Sequence, residues 1–291
     1  MLSGLVFVSW DKRDFFPLAR GNLLGYNDPN DSENREGSTV IFDTHAHYDD
    51  KAFDPDRLSL LGGMPAAGVG LILDPGCDVA SSEAALSLAE RFDFVYAAVG
   101  IHPEELPEDP LDALPRIWEL AEHSKCVAIG EIGLDYYWDA SRKEEQKLLF
   151  RRQIELALEL EKPVIVHDRE AHGDCLEIVQ DYPGLRGVFH CYSGSAEMAK
   201  ELLKRGWYLG FDGPVTYKNA RKSLEVLEIC PPDRLLIETD SPYLSPVPMR
   251  GKRNDSRNLR YVIEKIAEVK GMEPGEVEAV SLENGKRLFS L

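Results

Sequence analysis

The chain of 291 residues has no hydrophobic run long enough to cross a membrane, and it is short of basic residues. Lys and Arg number 33 against 51 Asp and Glu, which gives a formal net charge of −18. A field of that sign repels polyanions, which argues against a protein that grips DNA or RNA through a broad basic face. Because salt screens charges beyond about 10 Å, a nucleic-acid end could still enter a site that has its own cations.

Cysteine is also scarce, and several common motifs are missing. The five cysteines are odd in number, lie mostly in apolar runs and show no C-x-x-C spacing. This pattern predicts reduced, buried thiols and a cytoplasmic protein. The apolar stretch at residues 5–10 is short and follows no basic segment, so we expect no signal peptide. The chain has no G-x-S-x-G nucleophile motif, no P-loop and no dinucleotide-binding fingerprint.

Two regions of different composition divide the chain. Residues 1–38 contain a long tract of Gly, Asn, Asp, Pro, Ser and Glu with little to bury, and we predict a flexible N-terminal extension there. A compact domain is expected over residues 40–291. Its composition, with 43% hydrophobic and 29% charged residues in the whole chain, is typical of globular proteins.

Eight short apolar runs alternate with helical stretches in this domain. Continuous rather than alternating apolar runs indicate strands buried on both faces of a parallel sheet. The runs end at Asp43, Leu73, Val99, Glu131, His167, His190, Phe211 and Thr239. Helices are predicted at Ser81–Arg91, Glu144–Glu161, Ala196–Arg205 and Asp255–Lys270. Eight strands alternating with helices in about 250 residues predict a single-domain α/β fold, the (β/α)₈ TIM barrel.

A barrel of this type places its active site at the carboxyl ends of the strands. Four of the seven histidines lie there, and two carboxylates join them: His45, His47, Glu131, His167, His190 and Asp240. Each alone is more often a satisfied core residue than a ligand, but their joint placement predicts a divalent metal centre of Zn, Mn or Mg. Six ligands are too many for one catalytic ion with an open position, so we expect two ions that share a carboxylate. Such a pair would support hydrolysis without a nucleophilic side chain.

Five ordered motifs resemble the TatD family of metal-dependent hydrolases over about residues 40–291. They are Phe42–Asp50, Gly130–Tyr136, Pro163–His167, Phe189–Gly194 and Glu238–Leu244. The resemblance implies an amidohydrolase-like TIM barrel, two divalent ions and phosphodiester hydrolysis, often as a deoxyribonuclease that trims DNA from a 3′ end. One ion would be held by His45, His47, Glu131 and Asp240, and the other by Glu131, His167 and His190. Glu131 would bridge, and Asp240 would orient or deprotonate the attacking water.

The chain departs from the family pattern in three places. Members similar to it start close to Phe42, so residues 1–39 are extra, and Val40 would be the true start if the gene uses a GTG codon. Asp255 and Ser256 stand where the family often has Glu-Pro, and Glu104 stands where many relatives have a second His. The last two departures bear on substrate preference more than on metal binding.

Substrate contacts are predicted beside the metal centre. His102 follows the third run, and we favour a substrate-binding or supporting role for it over a ligand role. A basic segment at Arg250–Arg260 follows the eighth run, and Arg253 is our first candidate for a phosphate contact, with Arg169 the second. Tyr136 is predicted to stack on bases, as Tyr192 and Tyr243 could.

Three hypotheses about function follow. The first is a two-metal deoxyribonuclease with 3′–5′ action on DNA ends or oligonucleotides. The second is an ester or amide hydrolase on the same barrel, for example a deacylase of D-aminoacyl-tRNA. The third is a scaffold without turnover, against which the intact set of buried ligands weighs. No membrane association and no protein partner are inferred.

Overall fold

The computed structural model of the protein describes residues 40–291. The predicted flexible extension at residues 1–38 lies outside the described residues. Eight parallel strands follow one another around a single sheet in chain order, and helices connect them. The strands are β1 Ile41–Asp43, β2 Val69–Pro75, β3 Val95–Val99, β4 Cys126–Asp135, β5 Val164–Arg169, β6 Gly187–Phe189, β7 Tyr208–Phe211 and β8 Leu235–Ile237. The predicted (β/α)₈ barrel is therefore confirmed.

The α-helices lie between and after the strands. They are α1 Arg57–Gly62, α2 Val79–Arg91, α3 Leu114–Ala121, α4 Lys143–Glu159, α5 His172–Gln180, α6 Ala196–Lys204, α7 Arg221–Ile229, α8 Leu259–Lys270 and α9 Pro274–Phe289. Among residues 40–291, no helix is both long and apolar enough to span a membrane.

Several predicted boundaries differ from those observed, among them those of β4, β2 and α8. Strand β4 continues beyond Glu131 to Asp135, so the predicted end lies inside the strand. Strand β2 continues to Pro75 rather than ending at Leu73. Helix α8 begins at Leu259, because the Asp255 carboxylate caps a separate 3₁₀ turn at Ser256–Asn258 by accepting a hydrogen bond from the Arg257 backbone N–H.

Two hydrophobic layers fill the fold. The larger layer packs the outward side chains of the strands against the surrounding helices. The buried part of the inner layer contains one side chain from each strand: Phe42, Leu73, Ala98, Ala128, Ile165, Val188, Tyr208 and Leu236. Helix α9 adds Leu282, Leu288 and Phe289 to this inner layer, and the rings of Phe42 and Phe289 lie 6.0 Å apart. The barrel interior is thus a packed core, as expected for eight strands.

The first and last strands meet through hydrogen bonds around their carboxyl ends. The Thr44 backbone N–H donates to Ile237, and beyond the strands His47 donates to Ser241 and Asp240 donates to His45. The Asp43 carboxylate also accepts hydrogen bonds from the backbone N–H and the hydroxyl of Thr239, at 3.0 and 2.7 Å. We call this junction of β1 and β8 the seam. Residues that close the barrel here are neighbours of the predicted ligands.

Candidate active site

Six side chains from five strand ends converge at the carboxyl end of the barrel. They are the six residues predicted from the sequence: His45, His47, Glu131, His167, His190 and Asp240. All six side chains are at most 15% exposed, so the group is buried beneath the barrel mouth. We call this group the histidine–carboxylate cluster.

Glu131 lies at the centre of the cluster and presents its two oxygens to different neighbours. Oε2 lies 3.2 Å from Nε2 of His45 and 3.5 Å from Nε2 of His47. Oε1 lies 2.8 Å from Nδ1 of His167 and 2.7 Å from Nε2 of His190. One carboxylate therefore faces two separate pairs of imidazoles.

Asp240 completes the first side of the cluster. Its Oδ1 lies 3.4 Å from Nε2 of His47 and 3.7 Å from Nε2 of His45. The two Nε2 atoms are themselves only 3.0 Å apart. His45, His47 and Asp240 form one set of donors close enough to hold a single ion, and His45, Glu131 and His190 form another.

The orientation of His47 fits such a role. Its Nδ1 lies 3.0 Å from the carbonyl oxygen of Pro75, which can only accept, so Nδ1 holds a hydrogen and Nε2 is the atom that faces the cluster. Burial opposes the charged form of His47, yet Cys77, Asp240 and Glu131 raise its pKa well above the usual value, so the ring is protonated in the metal-free protein. A metal ion would replace the hydrogen on Nε2, beside Nε2 of His45 and Oδ1 of Asp240. The donor set therefore fits a divalent metal ion.

Two further buried acidic side chains lie behind the histidines, and neither is among the site residues predicted from the sequence. Asp135 places Oδ2 3.0 Å from Nε2 of His167, on the side of the ring away from Glu131. Glu238 is fully buried, with Oε1 3.7 Å from Nδ1 of His190. The Asp135 carboxylate is within hydrogen-bond distance, and a carboxylate behind an imidazole fixes the orientation of the ring and raises its basicity as a ligand. Glu238 makes no hydrogen bond to His190, and burial raises its pKa well above the usual value. A carboxyl group in or next to an apolar strand needs a polar partner, and the sequence indicates that need without identifying the partner.

The carboxylates of the cluster are ionised despite their burial. Burial opposes ionisation of Glu131, yet His190, His102 and His45 hold its pKa well below the usual value. Burial likewise opposes ionisation of Asp240, and His47 and the other histidines lower its pKa. Both groups can accept a proton or hold a cation at neutral pH.

The histidines respond differently to the same surroundings. Burial, together with the charge of His190, lowers the pKa of His45 to about 4, so this ring is neutral at physiological pH. Burial disfavours the charged form of His167 as well, but Asp135 and Glu131 outweigh it and raise its pKa to about 10. His167 is therefore protonated in the metal-free protein.

A glycine permits the close approach of β4 and β5 at this point. Gly133 has φ +147°, and a Cβ there would lie 2.0 Å from the carbonyl oxygen of His167. Any side chain at this position would push His167 away from Glu131. The close packing of β4 against β5 therefore requires glycine at position 133.

Predicted substrate residues occupy different positions around the cluster. His102 joins it, with Nε2 3.4 Å from Oε1 of Glu131. Arg169 is exposed and lies over the rings of Tyr137 and Trp138, at 4.1 and 5.4 Å from their centroids. Arg253 makes a two-pronged ion pair with Asp56, both contacts at 2.7 Å.

Tyr136 is directed towards helical neighbours. Its hydroxyl donates to Asp174 at 2.6 Å, and the Lys143 ammonium lies 4.0 Å from the ring centroid. None of its recorded side-chain contacts within residues 40–291 is with the cluster. The next two aromatic residues, Tyr137 and Trp138, are exposed to solvent, and neither is among the substrate residues predicted from the sequence.

Comparison with known proteins places the chain among named relatives. The family described as "TatD related DNase" matches residues 42–290. The metal-dependent hydrolase YabD of Bacillus subtilis, whose name marks it as uncharacterized, is 45% identical over 254 residues, 87% of this chain and all of YabD. The 3′–5′ ssDNA/RNA exonuclease TatD of Cronobacter sakazakii is 35% identical over 86% of this chain and 97% of that protein. The crystal structure of YjjV, a TatD homologue of Escherichia coli, superposes with a TM-score of 0.82 at 31% identity, over 88% of this chain and all of YjjV.

Proposed function

Because this chain belongs to the TatD-related DNase family and is a metal-dependent hydrolase, we propose that it cleaves phosphodiester bonds at the ends of DNA strands. The proposed activity is that of a 3′–5′ exonuclease that uses two divalent ions. The observation that supports two ions best is Glu131, whose two oxygens face two different pairs of imidazoles. A carboxylate shared by two ions is the usual device of two-metal hydrolases.

Ligand assignment in this proposal follows the contacts of the cluster. His45, His47, Glu131 and Asp240 would hold the first ion, and Glu131, His167 and His190 would hold the second. When bound, two divalent ions supply the positive charge that activates water and stabilises the charge that develops on a phosphodiester. Mg²⁺, Mn²⁺ and Zn²⁺ are all compatible with imidazole and carboxylate donors.

Asp240 has the position and charge to manage the attacking water. Its Oδ1 faces His47 and His45, while its side chain retains 15% exposure towards the barrel mouth. The lowered pKa keeps it ionised, so it can accept a hydrogen bond and then a proton from a water molecule. We assign it the role of general base.

Phosphate recognition in this proposal rests first on Arg169. Within residues 40–291 its guanidinium has no recorded carboxylate partner, so its donors are available to a phosphate. Arg253, the other predicted contact, has its two terminal nitrogens on Asp56 and would have to share or leave that pair. His102 is proposed to hold Glu131 and to line the substrate side of the cluster. The cytoplasmic location inferred from the cysteines stays a prediction.

Metal-stripped protein tests the proposal directly. We would add back Mg²⁺, Mn²⁺ or Zn²⁺ and incubate with single-stranded DNA labelled at the 3′ or the 5′ end, with Asp240→Asn protein as the contamination control. We expect metal-dependent shortening from the 3′ end that the variant lacks. Metal binding without any cleavage would contradict nuclease activity and direct attention to ester or amide substrates, beginning with D-aminoacyl-tRNA.

A further inference from the structure

The three most exposed large hydrophobic side chains recorded for residues 40–291 all lie at the mouth of the barrel. Trp138 is 61% exposed, Tyr137 57% and Tyr243 54%. Tyr137 and Trp138 follow β4, the strand that contains Glu131, and Tyr243 follows Asp240 by three residues. Aromatic side chains left in water beside a catalytic cluster indicate a surface that something covers.

Tyr137 and Trp138 are held in place by a residue that also touches the cluster. Oδ1 of Asp135 accepts hydrogen bonds from the backbone N–H groups of both aromatic residues, each at 2.9 Å. Its other oxygen lies 3.0 Å from Nε2 of His167. One fully buried carboxylate therefore fixes both the aromatic turn and a proposed metal ligand, which sets the distance between them.

The two rings form an edge-to-face pair with a cation above them. Their centroids are 5.0 Å apart with an interplanar angle of 84°. Arg169 lies opposite Asp135 in the β4–β5 ladder, which brings its guanidinium over both rings. This arginine differs from Arg253 and Arg257, which pair with the carboxylates of Asp56 and Asp255. Within residues 40–291 no carboxylate pairs with Arg169, so its charge is available to an anion at the aromatic surface.

We infer that Tyr137, Trp138 and Arg169 form a subsite for an unpaired nucleobase and its phosphate, next to the bond that is cleaved. The inference rests on the proposed nuclease function and names the part of the substrate that this surface takes. Bases stack on exposed aromatic rings when they are not stacked within a duplex, and a guanidinium over the rings binds the adjoining phosphate. The subsite therefore selects single-stranded ends.

The surface fits one nucleotide better than a protein partner. It consists of two rings and one cation, far less than the 1,200–2,000 Å² or so that a stable protein interface buries. It also provides an aromatic surface, on which a base can stack, and one positive charge, which can bind a phosphate. The chain has a net charge of −18, which repels anions overall. The positive charge of Arg169 at the barrel mouth opposes that repulsion locally.

The subsite can be tested with single-stranded oligonucleotides that either carry or lack bases beside the scissile bond. We would measure kcat/KM for a strand whose terminal nucleotides all carry bases, and for a matched strand with abasic sugars beside the scissile bond. Wild-type protein should prefer the first strand by about tenfold to a hundredfold, the range that base–aromatic stacking provides. Trp138→Ala should remove most of that preference and Trp138→Phe should retain part of it.

A matched control lies on the outer layer of the barrel. Tyr182 is also an aromatic residue with an arginine over its ring, since the Arg151 guanidinium lies 6.0 Å from the ring centroid. It lies between the end of α5 and the start of β6, at the end of the barrel opposite the cluster. Tyr182→Ala should leave the preference for base-bearing strands unchanged. Full-length protein with Asp240→Asn should also show quenching of tryptophan emission when a base-bearing strand is added, and the further change Trp138→Phe should abolish the quenching.

The outcomes separate the two proposals. Cleavage by wild-type protein with equal rates on base-bearing and abasic strands, and no effect of Trp138→Ala, would overturn the subsite and leave the nuclease function intact. Failure of wild-type protein to cleave any strand with any of the three metals would overturn both. Equal loss of preference in Tyr182→Ala and Trp138→Ala proteins would also contradict a specific subsite.

Discussion

Nε2 of His102 lies 3.4 Å from Oε1 of Glu131, and the hydrogen of the neutral ring sits on the nitrogen that faces the carboxylate. The other nitrogen, Nδ1, accepts a hydrogen bond from the backbone N–H of Glu104 at 3.1 Å, so it holds no hydrogen. Burial lowers the pKa of His102, which keeps the ring neutral. His102 therefore directs an N–H towards Glu131, which favours a supporting role over a ligand role.

Replacing His102 should weaken metal binding without removing a ligand. We expect His102→Ala to lower metal affinity or kcat by about 10- to 100-fold, the range for residues that orient metal ligands, while ion content at saturating metal stays unchanged. Metal titration and steady-state kinetics measure the two effects separately. His123→Ala is the control, because His123 pairs with Glu90 on the outer surface. Loss of an ion at saturating metal would show that His102 is itself a ligand.

Glu131 should be the most sensitive position of the cluster. Because both oxygens face histidine pairs, Glu131→Ala should lose at least one ion and lower kcat by more than about a hundredfold while the fold remains. Elemental analysis, circular dichroism and turnover on labelled DNA measure these properties. Glu144→Gln, at an exposed residue of α4, is the matched control. Wild-type turnover in Glu131→Ala protein would contradict a bridging role.

Metal binding should release a proton from His167. The ring is protonated in the metal-free protein because its pKa is about 10, and a ligand nitrogen must be deprotonated. Deprotonation of His167 alone should raise affinity by about tenfold per pH unit between pH 7 and 9, and His47, whose pKa is also raised, adds to that slope. Calorimetry in buffers of different ionisation enthalpy counts the protons released. Asp135→Asn removes a cause of the raised pKa and should reduce the count, and a heat independent of the buffer would disprove the linkage.

The two arginines should differ in their effect on substrate binding. Arg169→Ala should raise KM for phosphate-bearing substrates by about tenfold, because a charge-assisted contact contributes about 1.5–3 kcal/mol. Arg253→Ala should raise KM less, since its guanidinium is bound to Asp56. Metal content should stay intact in both variants. The Asp56→Ala variant is informative in the same assay, because a lower KM there would show that Arg253, once released, does bind phosphate.

Sequence patterns predicted which six side chains converge, and the reason is geometrical. His45, Glu131 and His167 each come at or near the end of a continuous apolar run, and a parallel barrel brings such ends together. The eight-strand count and the six converging side chains follow from that rule. The end of strand β4 was harder to predict, because Ile132 and Leu134 continue its apolar pattern beyond Glu131.

Contacts between distant segments were not predictable from the sequence. Arg253 pairs with Asp56, 197 residues away, and no local pattern reports such a pairing. Among the consecutive aromatics after β4, Tyr136 turns to Asp174 whereas Tyr137 and Trp138 turn to solvent. That choice depends on two backbone hydrogen bonds to Asp135, which only the folded turn reveals.

The seam joins the first and last strands to be synthesised, so the cluster is complete only after β8 has been made. His45 and Asp240 follow the first and last strands of the barrel, and the hydrogen bond between them forms only when both strands are present. A ribosome that has made β1 to β7 has supplied His45, His47, Glu131, His167 and His190 but not Asp240. The proposed general base is thus the last member to arrive, so a nascent barrel that captures metal early still lacks the group that would deprotonate water.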